Sequence, residues 1–203
     1  MLNPREHRLH NNGFQYSDLR RATADNMRDL FHFVPDSILV IDTETTGLEP
    51  FFHDILEAAA VDGGGKTVAE HRYGSYSTEW PEAEAIHGIS PEDVEGLRPF
   101  DEDVDRWTEL ISKYDVVAGY NVQFDIGFMA RAGVDFGNVR VYDVMEPFAA
   151  IYGQWHEYWE SYTWKKLVDA AEYYGLPIDG AHGALWDART ALKVMRRTLG
   201  FNR

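Results

Sequence analysis

Three short stretches hold the side chains with which this sequence could do chemistry. In Ile38-Leu39-Val40-Ile41-Asp42-Thr43-Glu44, an apolar run that reads as a buried strand continues into two acids. Residues i and i+2 of a strand point to one face, so Asp42 and Glu44 aim two carboxylates at one spot. They would sit at the carboxyl end of the strand, where open α/β sheets place their sites. Two such charges repel, and a hard divalent cation with its preference for oxygen ligands relieves them. A strand that simply leaves the core, with both acids solvated, is the plainer alternative.

The second stretch, "VVAGYNVQFD", places Asp125 a few residues beyond another apolar strand, near the first turn of the next helix. An acid there also complements a helix dipole, and Asn121 reads equally as a turn residue. The third is "AHGALWDART", in which His182 precedes the last helix and Asp187 lies five residues on, in its first turn. That spacing lets one residue bind metal while the other hangs over the same site from a loop. A surface histidine and a helix-start acid explain the pair as well.

The elements that must position these residues can be read from periodicity and breakers. "SILVID" is a strand, and "DILEAAAV" and "KTVAEHRYGSY" form a hairpin around Asp62-Gly63-Gly64-Gly65. Ser90-Pro91 starts a helix, and "DVDRWTELISKY" is an amphipathic one. "DVVAGY" is a strand, "QFDIGFMARAG" a helix stopped by Gly133, and "VRVYD" a further strand. Helices are expected over 144–153, 163–174 and about 185–199. Residues 1–36 read as an N-terminal extension, partly helical, with Ser17 capping a helix that runs to about Phe33. Strands followed by α/β alternation imply a mixed sheet flanked by helices.

Composition bounds the class. At 203 residues with 44% apolar content, one folded domain is expected, and zero cysteines exclude disulfides and thiolate metal sites. No apolar run reaches the ~20 residues of a membrane span, and "MLNPREHRLHNNGF" lacks the apolar middle of a secretory signal. A cytoplasmic location is the expectation. The net charge of −15 falls wholly on residues 37–203, since residues 1–36 hold five acids and five basic residues. A broad electrostatic grip on long duplex is therefore not expected.

Taken together and in order, Asp42-x-Glu44, Asn121-x-x-Phe124-Asp125 and His182-x-x-x-x-Asp187 resemble the DEDDh exonucleases of the ribonuclease H-like superfamily. "DTETTG", "IHGIS", "FDIGFM" and "HGALWDA" are most similar to the epsilon-type proofreading branch, and the likeness covers about Ile38–Leu199. The resemblance implies an α/β fold with a mixed five-stranded sheet, an exonuclease domain over 37–203, and hydrolysis of nucleotides from a 3′ end with two Mg²⁺ or Mn²⁺ ions. It also implies metal roles for Asp42, Glu44, Asp125 and Asp187, with Asp42 bridging the ions, and a general-base role for His182. The chemistry agrees: paired ions activate the attacking water and neutralise the leaving oxygen, and an imidazole can take the proton near neutral pH.

By the same resemblance, Thr45, Gly47, Glu57, Ile86, His87 and Asn121 lie on the substrate side, with Ile86 and His87 against the terminal base and sugar and Glu57 near that sugar. Ordinary loop packing for Ile86 and His87, and a plain edge carboxylate for Glu57, stay open. The expected substrate is single-stranded DNA with a free 3′ end, cut to 5′-mononucleotides. RNA or short-oligonucleotide trimming is the alternative, and a non-catalytic binding module the more distant one. The resemblance also departs in two places. Phe148–Trp164 carries three Trp and three Tyr, expected as a satellite core beneath a long connection, with stacking on single-stranded bases the alternative. The sequence has no epsilon-like tail after its last motif, so no stable polymerase association is expected.

Overall fold

The structure, a computed structural model, describes residues 15–179 and 182–201. Part of the segment read as an extension, residues 1–14, falls outside that range. The apolar alternation of the sequence becomes a mixed sheet in the order β1-β6-β5-β2-β3-β4. Its strands are β1 (Arg20–Arg21), β2 (Ile38–Thr45), β3 (Ile55–Asp62), β4 (Thr67–Arg72), β5 (Val116–Gly119) and β6 (Arg140–Asp143). β2 and β3 pair antiparallel, as do β3 and β4, while β1, β6, β5 and β2 run parallel. The mixed α/β architecture is the expected one, with six strands rather than five.

The sixth strand comes from upstream of residue 37. Arg20 and Arg21 pair with Arg140 and Val141 at the β6 edge, which supplies partners for backbone groups that an exposed edge leaves open. Ser17 therefore does not cap a helix; Tyr16–Asp18 is a single 3-10 turn. The helix α1 (Ala24–Phe33) starts at Thr23, whose hydroxyl accepts from the Asn26 amide at 3.2 Å. The Asn26 side chain returns the bond to the Thr23 amide at 3.3 Å. This reciprocal cap fixes the start six residues later than Ser17 would. Met27 and Phe31 of α1 are buried.

Two helical layers cover the sheet. On one face the even-numbered positions Ile38 and Val40 of β2 pack with Val61 against Ala188, Ala191 and Leu192 of α7 (Ala184–Thr198). On the other, Leu39 and Ile41 pack with Trp107 and Ile111 of α3 (Val104–Ile111) and Val122 and Ile126 of α4 (Val122–Ala132). Period-two alternation thus sends neighbouring residues of β2 to opposite layers. The short helices α5 (Met145–Tyr152) and α6 (Leu167–Tyr173) join the α7 layer through Met145, Phe148 and Ala170. The chain also forms the short helix α2 (Pro81–His87) and a small hairpin of β7 (Trp155–His156) and β8 (Ser161–Tyr162). Ser90 and Asp93 exchange the expected capping bonds, at 2.8 and 3.3 Å, yet close only one 3-10 turn, Glu92–Val94.

The aromatic stretch is not a satellite core. Phe148 and Ala149 of α5 are buried, but Trp155, Tyr158, Trp159 and Trp164 are exposed. The hairpin rings mostly meet one another, as in the Trp155–Tyr162 and Tyr158–Trp159 edge contacts. No helix of the described residues is long and apolar enough to cross a membrane.

Candidate active site

The carboxyl end of β2 is where the candidate residues gather. Asp42 and Glu44 continue the even-numbered face that meets α7, and Asp187 stands in the first turn of α7. Ligand oxygens of Asp42, Glu44 and Asp187 all lie within 4.8 Å of one another. The sheet opens at this point. The β2–β5 ladder is registered through Val40 and Ala118, and a Cβ at Gly119 would meet the Ile41 carbonyl oxygen at 2.9 Å. Only glycine lets the two strands stay this close just before they part. A register shift between Glu44 and Thr45 then interrupts the β2–β3 ladder, which resumes with Thr45 opposite Ile55, the kind of bulge that re-aims side chains beside sites.

Asp125 reaches the same place from the opposite layer. It sits in the first turn of α4, is 3% exposed, and accepts from the Thr43 amide and hydroxyl, both at 2.8 Å. Thr43, the residue between the two β2 acids, faces α4 while they face α7, so Asp125 is clamped across the strand rather than among the three acids. It is nonetheless close enough to act on both Asp42 and Glu44.

Electrostatics set this cluster apart. Burial raises the Asp42 pKa well above the carboxylate range, and Asp125, Asp187, Glu44 and Glu57 raise it further. Burial, then Asp187, Glu57 and Asp125, push Glu44 up to about 8. Burial also lifts Asp125 to about 7 against the pull of the Thr43 hydrogen bonds, and Asp187 to about 6 against the bond from the His182 amide. Among the described residues, the charges acting most on Asp42 and Glu44 are all acids. Buried like charges are costly unless a counter-charge meets them. An oxygen-only donor set, mutually repelling and converging from separate elements, fits a hard divalent cation.

His182 lies beside this cluster. It is exposed, adopts a left-handed backbone (φ 67°), and its amide donates to Asp187 Oδ1 at 3.4 Å. Such a backbone is uncommon outside glycine and marks a loop conformation held by its surroundings.

The other expected substrate-side residues divide into two groups. Glu57 stands opposite Glu44 in the β2–β3 ladder, and both its oxygens are engaged. Oε2 pairs with Arg72 Nε at 2.9 Å, and Oε1 accepts from the Ala184 amide at 3.1 Å. It thereby fixes the start of α7, three residues before Asp187, with its charge at a helix N-terminus. His87 also has both ring nitrogens engaged: Nδ1 accepts from the Ile89 amide at 3.0 Å, leaving Nε2 to donate to the Thr45 carbonyl at 3.2 Å. Burial lowers its pKa, consistent with a neutral ring. Ile86, on the same helix α2, is 60% exposed. Thr45 is buried, with its hydroxyl donating to the Gly47 carbonyl at 2.7 Å. The His53 ring lies so close over Gly47 that a side chain there would collide with it. Asn121, exposed and left-handed (φ 61°), begins α4, and its amide donates to Asp143 Oδ1 at 3.0 Å.

Two positioning residues were missed in the sequence. Thr43 holds Asp125, and strand alternation alone would have sent it toward α4. Asp143 holds both Asn121 and, at 2.9 Å, the Met145 amide; burial raises its pKa. Its signal was an acid closing "VRVYD" as Asp42 closes "ILVID".

Known proteins similar to this chain in sequence or fold include exonucleases. The uncharacterized exonuclease CP81 of Escherichia phage 186 is 29% identical over 174 residues, spanning 80% of this chain and 88% of the phage protein. The 3′-5′ exonuclease DinG of Staphylococcus haemolyticus is 26% identical over 78% of this chain, which spans only 18% of DinG. The DNA polymerase III epsilon subunit of Rickettsia conorii is 34% identical over 96 residues, 45% of this chain and 41% of that protein. Two solved structures share the fold. E. coli exonuclease I in complex with a dA16 oligonucleotide superposes with a TM-score of 0.63 at 19% identity, over 80% of this chain and 41% of that one. Exonuclease X in complex with 5′ overhanging duplex DNA gives 0.56 at 24% identity, over 79% and 92%. The sequence model of the RNase T-type exonuclease family matches residues 39–195, from the strand that carries Asp42 to the helix that carries Asp187. By that match, the chain belongs to this exonuclease family.

Proposed function

We propose that this chain is a divalent-metal-dependent 3′→5′ exonuclease that trims single-stranded DNA from its 3′ end and releases 5′-mononucleotides. The observation that carries the reading is the convergence of Asp42, Glu44 and Asp187 oxygens within 4.8 Å in a half-buried site, where the charges acting most on Asp42 and Glu44 are those of other acids. The relative that is a 3′-5′ exonuclease, DinG, and the DNA complexes of the fold neighbours support the polarity and substrate class.

Asp42, Glu44 and Asp187 would hold one Mg²⁺ or Mn²⁺, and Asp42 with Asp125 a second. When bound, such ions lower the pKa of water and neutralise charge on a leaving 3′ oxygen. The chain's own residues do the rest. Thr43 orients Asp125 through two hydrogen bonds. Glu57 ties β3 to the start of α7 and so fixes the approach of Asp187. His182 presents an imidazole from its loop as the general base that accepts a proton from the attacking water. On the substrate side, His87 holds the Thr45 carbonyl, the Thr45 hydroxyl ties down Gly47, Ile86 offers an exposed apolar surface for the terminal base, and Asn121 lies at the strand's exit. Cytoplasmic action fits the same reading.

The test is digestion of a 5′-labelled single strand in Mn²⁺ or Mg²⁺, beside matched RNA and duplex. A ladder that shortens one nucleotide at a time, stopped by EDTA, is expected. Internal cuts as first products, or turnover undiminished in EDTA, would refute the reading, and faster RNA shortening would reassign the substrate.

A further inference from the structure

Next to the acid cluster lies a second concavity of different chemistry. A cavity of about 600 Å³ opens between the start of α4, the loop after β2, the 3-10 turn at Tyr16 and the residue just past the aromatic hairpin. Its walls include four aromatic rings, Tyr16, Phe51, Phe124 and Trp164, and three side-chain amides, Gln15, Asn121 and Gln123. Arg131 is the one charged residue among the described residues lining it, buried at 8% exposure, with its guanidinium 4.3 Å from the Phe51 ring centroid. Among the described residues no acid lines it, in a chain with a net charge of −15. Gln15 and Tyr16 lie outside the span matched by the family, residues 39–195.

These features suit one occupant. Planar rings offer stacking surfaces that take any base. Amides pair with base edges, and a guanidinium set on an aromatic face is suited to phosphate. The volume falls in the range of small-ligand sites. Position supplies the continuity: Asn121 and Phe124 line the cavity, and Asp125 follows within one helical turn, roughly 6 Å along the axis. A strand whose 3′ end meets the acids would enter this cavity with its next nucleotides.

We propose that this cavity is a base-binding subsite for the nucleotides immediately upstream of the cleaved one, with Trp164 as its stacking wall. The inference rests on the exonuclease reading and extends it to substrate specificity. It accounts for exposed aromatic surface that the carboxylate chemistry leaves unused.

Trp164 is 65% exposed, so Trp164→Ala should leave the fold intact. Two readouts test the proposal: binding of a fluorescent oligothymidylate in Ca²⁺, and single-turnover shortening in Mn²⁺ of strands carrying one abasic position, scanned back from the 3′ end. In the native protein, an abasic position at the first or second upstream nucleotide should weaken binding and raise KM. Trp164→Ala should weaken binding of the intact strand about 5- to 150-fold, the range for one lost base–aromatic stack, with kcat little changed. It should also be insensitive to that abasic position. Trp159→Ala, at the hairpin tip and outside the cavity, should match the native protein. Unchanged affinity in Trp164→Ala, equal losses in Trp159→Ala, or an undiminished abasic penalty in Trp164→Ala would overturn the subsite. So would conversion of a dimer to a monomer by Trp164→Ala with strand binding intact, which would make this face a contact between copies. No shortening of any strand by the native protein would instead defeat the exonuclease reading itself.

Discussion

Replacing Glu44 by Gln should stabilise the metal-free protein while removing its dependence on metal. The carboxyl of Glu44 is pushed up to about 8 from an ordinary 4.5, first by burial and then by Asp187, Glu57 and Asp125. Between those values the folded chain binds more protons than the unfolded one, so its stability falls as pH rises through the window. With about 1.4 kcal/mol per tenfold change in proton affinity, Glu44 alone withdraws about 2 kcal/mol near pH 6 and about 4 near pH 8. Below about pH 4 it withdraws nothing. Glutamine keeps the shape and carries no charge. In EDTA at pH 8, Glu44→Gln should therefore melt about 8–16 °C higher than the native chain, at ~2–4 °C per kcal/mol for a protein of this size. With millimolar Mn²⁺ the order should narrow or reverse, because ion binding stabilises the native cluster by mass action. Thermal unfolding at pH 5 and pH 8, with and without Mn²⁺, reads all four cells. A Glu44→Gln protein no more stable than native in EDTA at pH 8, or a gain as large at pH 5, would refute the reasoning.

Other outcomes follow from the same site. His182→Ala should keep its Mn²⁺-dependent rise in melting temperature while turnover falls ~10²–10⁴-fold; unchanged turnover removes His182 from the base role. Asp42→Ala should lose both turnover and ion-dependent stabilisation, and retention of either would count against Asp42 as the shared ligand. Thr43→Val deletes one of the two bonds holding Asp125. It should lose about 1–3 kcal/mol of stability above the pKa of Asp125 and raise that pKa beyond about 7, to be read by NMR titration of the carboxyl. Gly119→Ala sets a methyl 2.9 Å from the Ile41 carbonyl; a loss of about 1–3 kcal/mol is expected, and a neutral effect would show that the strands can part at no cost.

Much of this was legible in the chain because period and spacing carried it. The alternation of Ile38 to Glu44 told which acids share a face, and Gly133 marked the end of α4 as its C-cap glycine. The hairpin of β3 and β4 followed from the turn between Asp62 and Gly65. Other features depended on tertiary partners that no local pattern encodes. Arg20 and Arg21 are a strand only because β6 offers an open edge. Trp155 and Trp159 have the composition of a core, but among the described residues no element packs over them and both are exposed. Asp125 carries a helix-start signal, yet its clamp by Thr43 depends on how β2 and α4 cross. Glu57 and His87 have polar atoms engaged by Arg72, Ala184, Thr45 and Ile89, contacts set by rotamer and tertiary packing rather than by any local pattern.

The most direct test is a crystal structure grown in Mn²⁺ with a short strand ending in a 3′-terminal phosphorothioate, read by anomalous scattering at the manganese edge. Peaks between the carboxylates of Asp42, Glu44 and Asp187, with a further one reached by Asp125 and the strand's last phosphate beside them, are expected. Manganese bound elsewhere, or a strand seated with its 3′ end away from those four acids, would contradict the account.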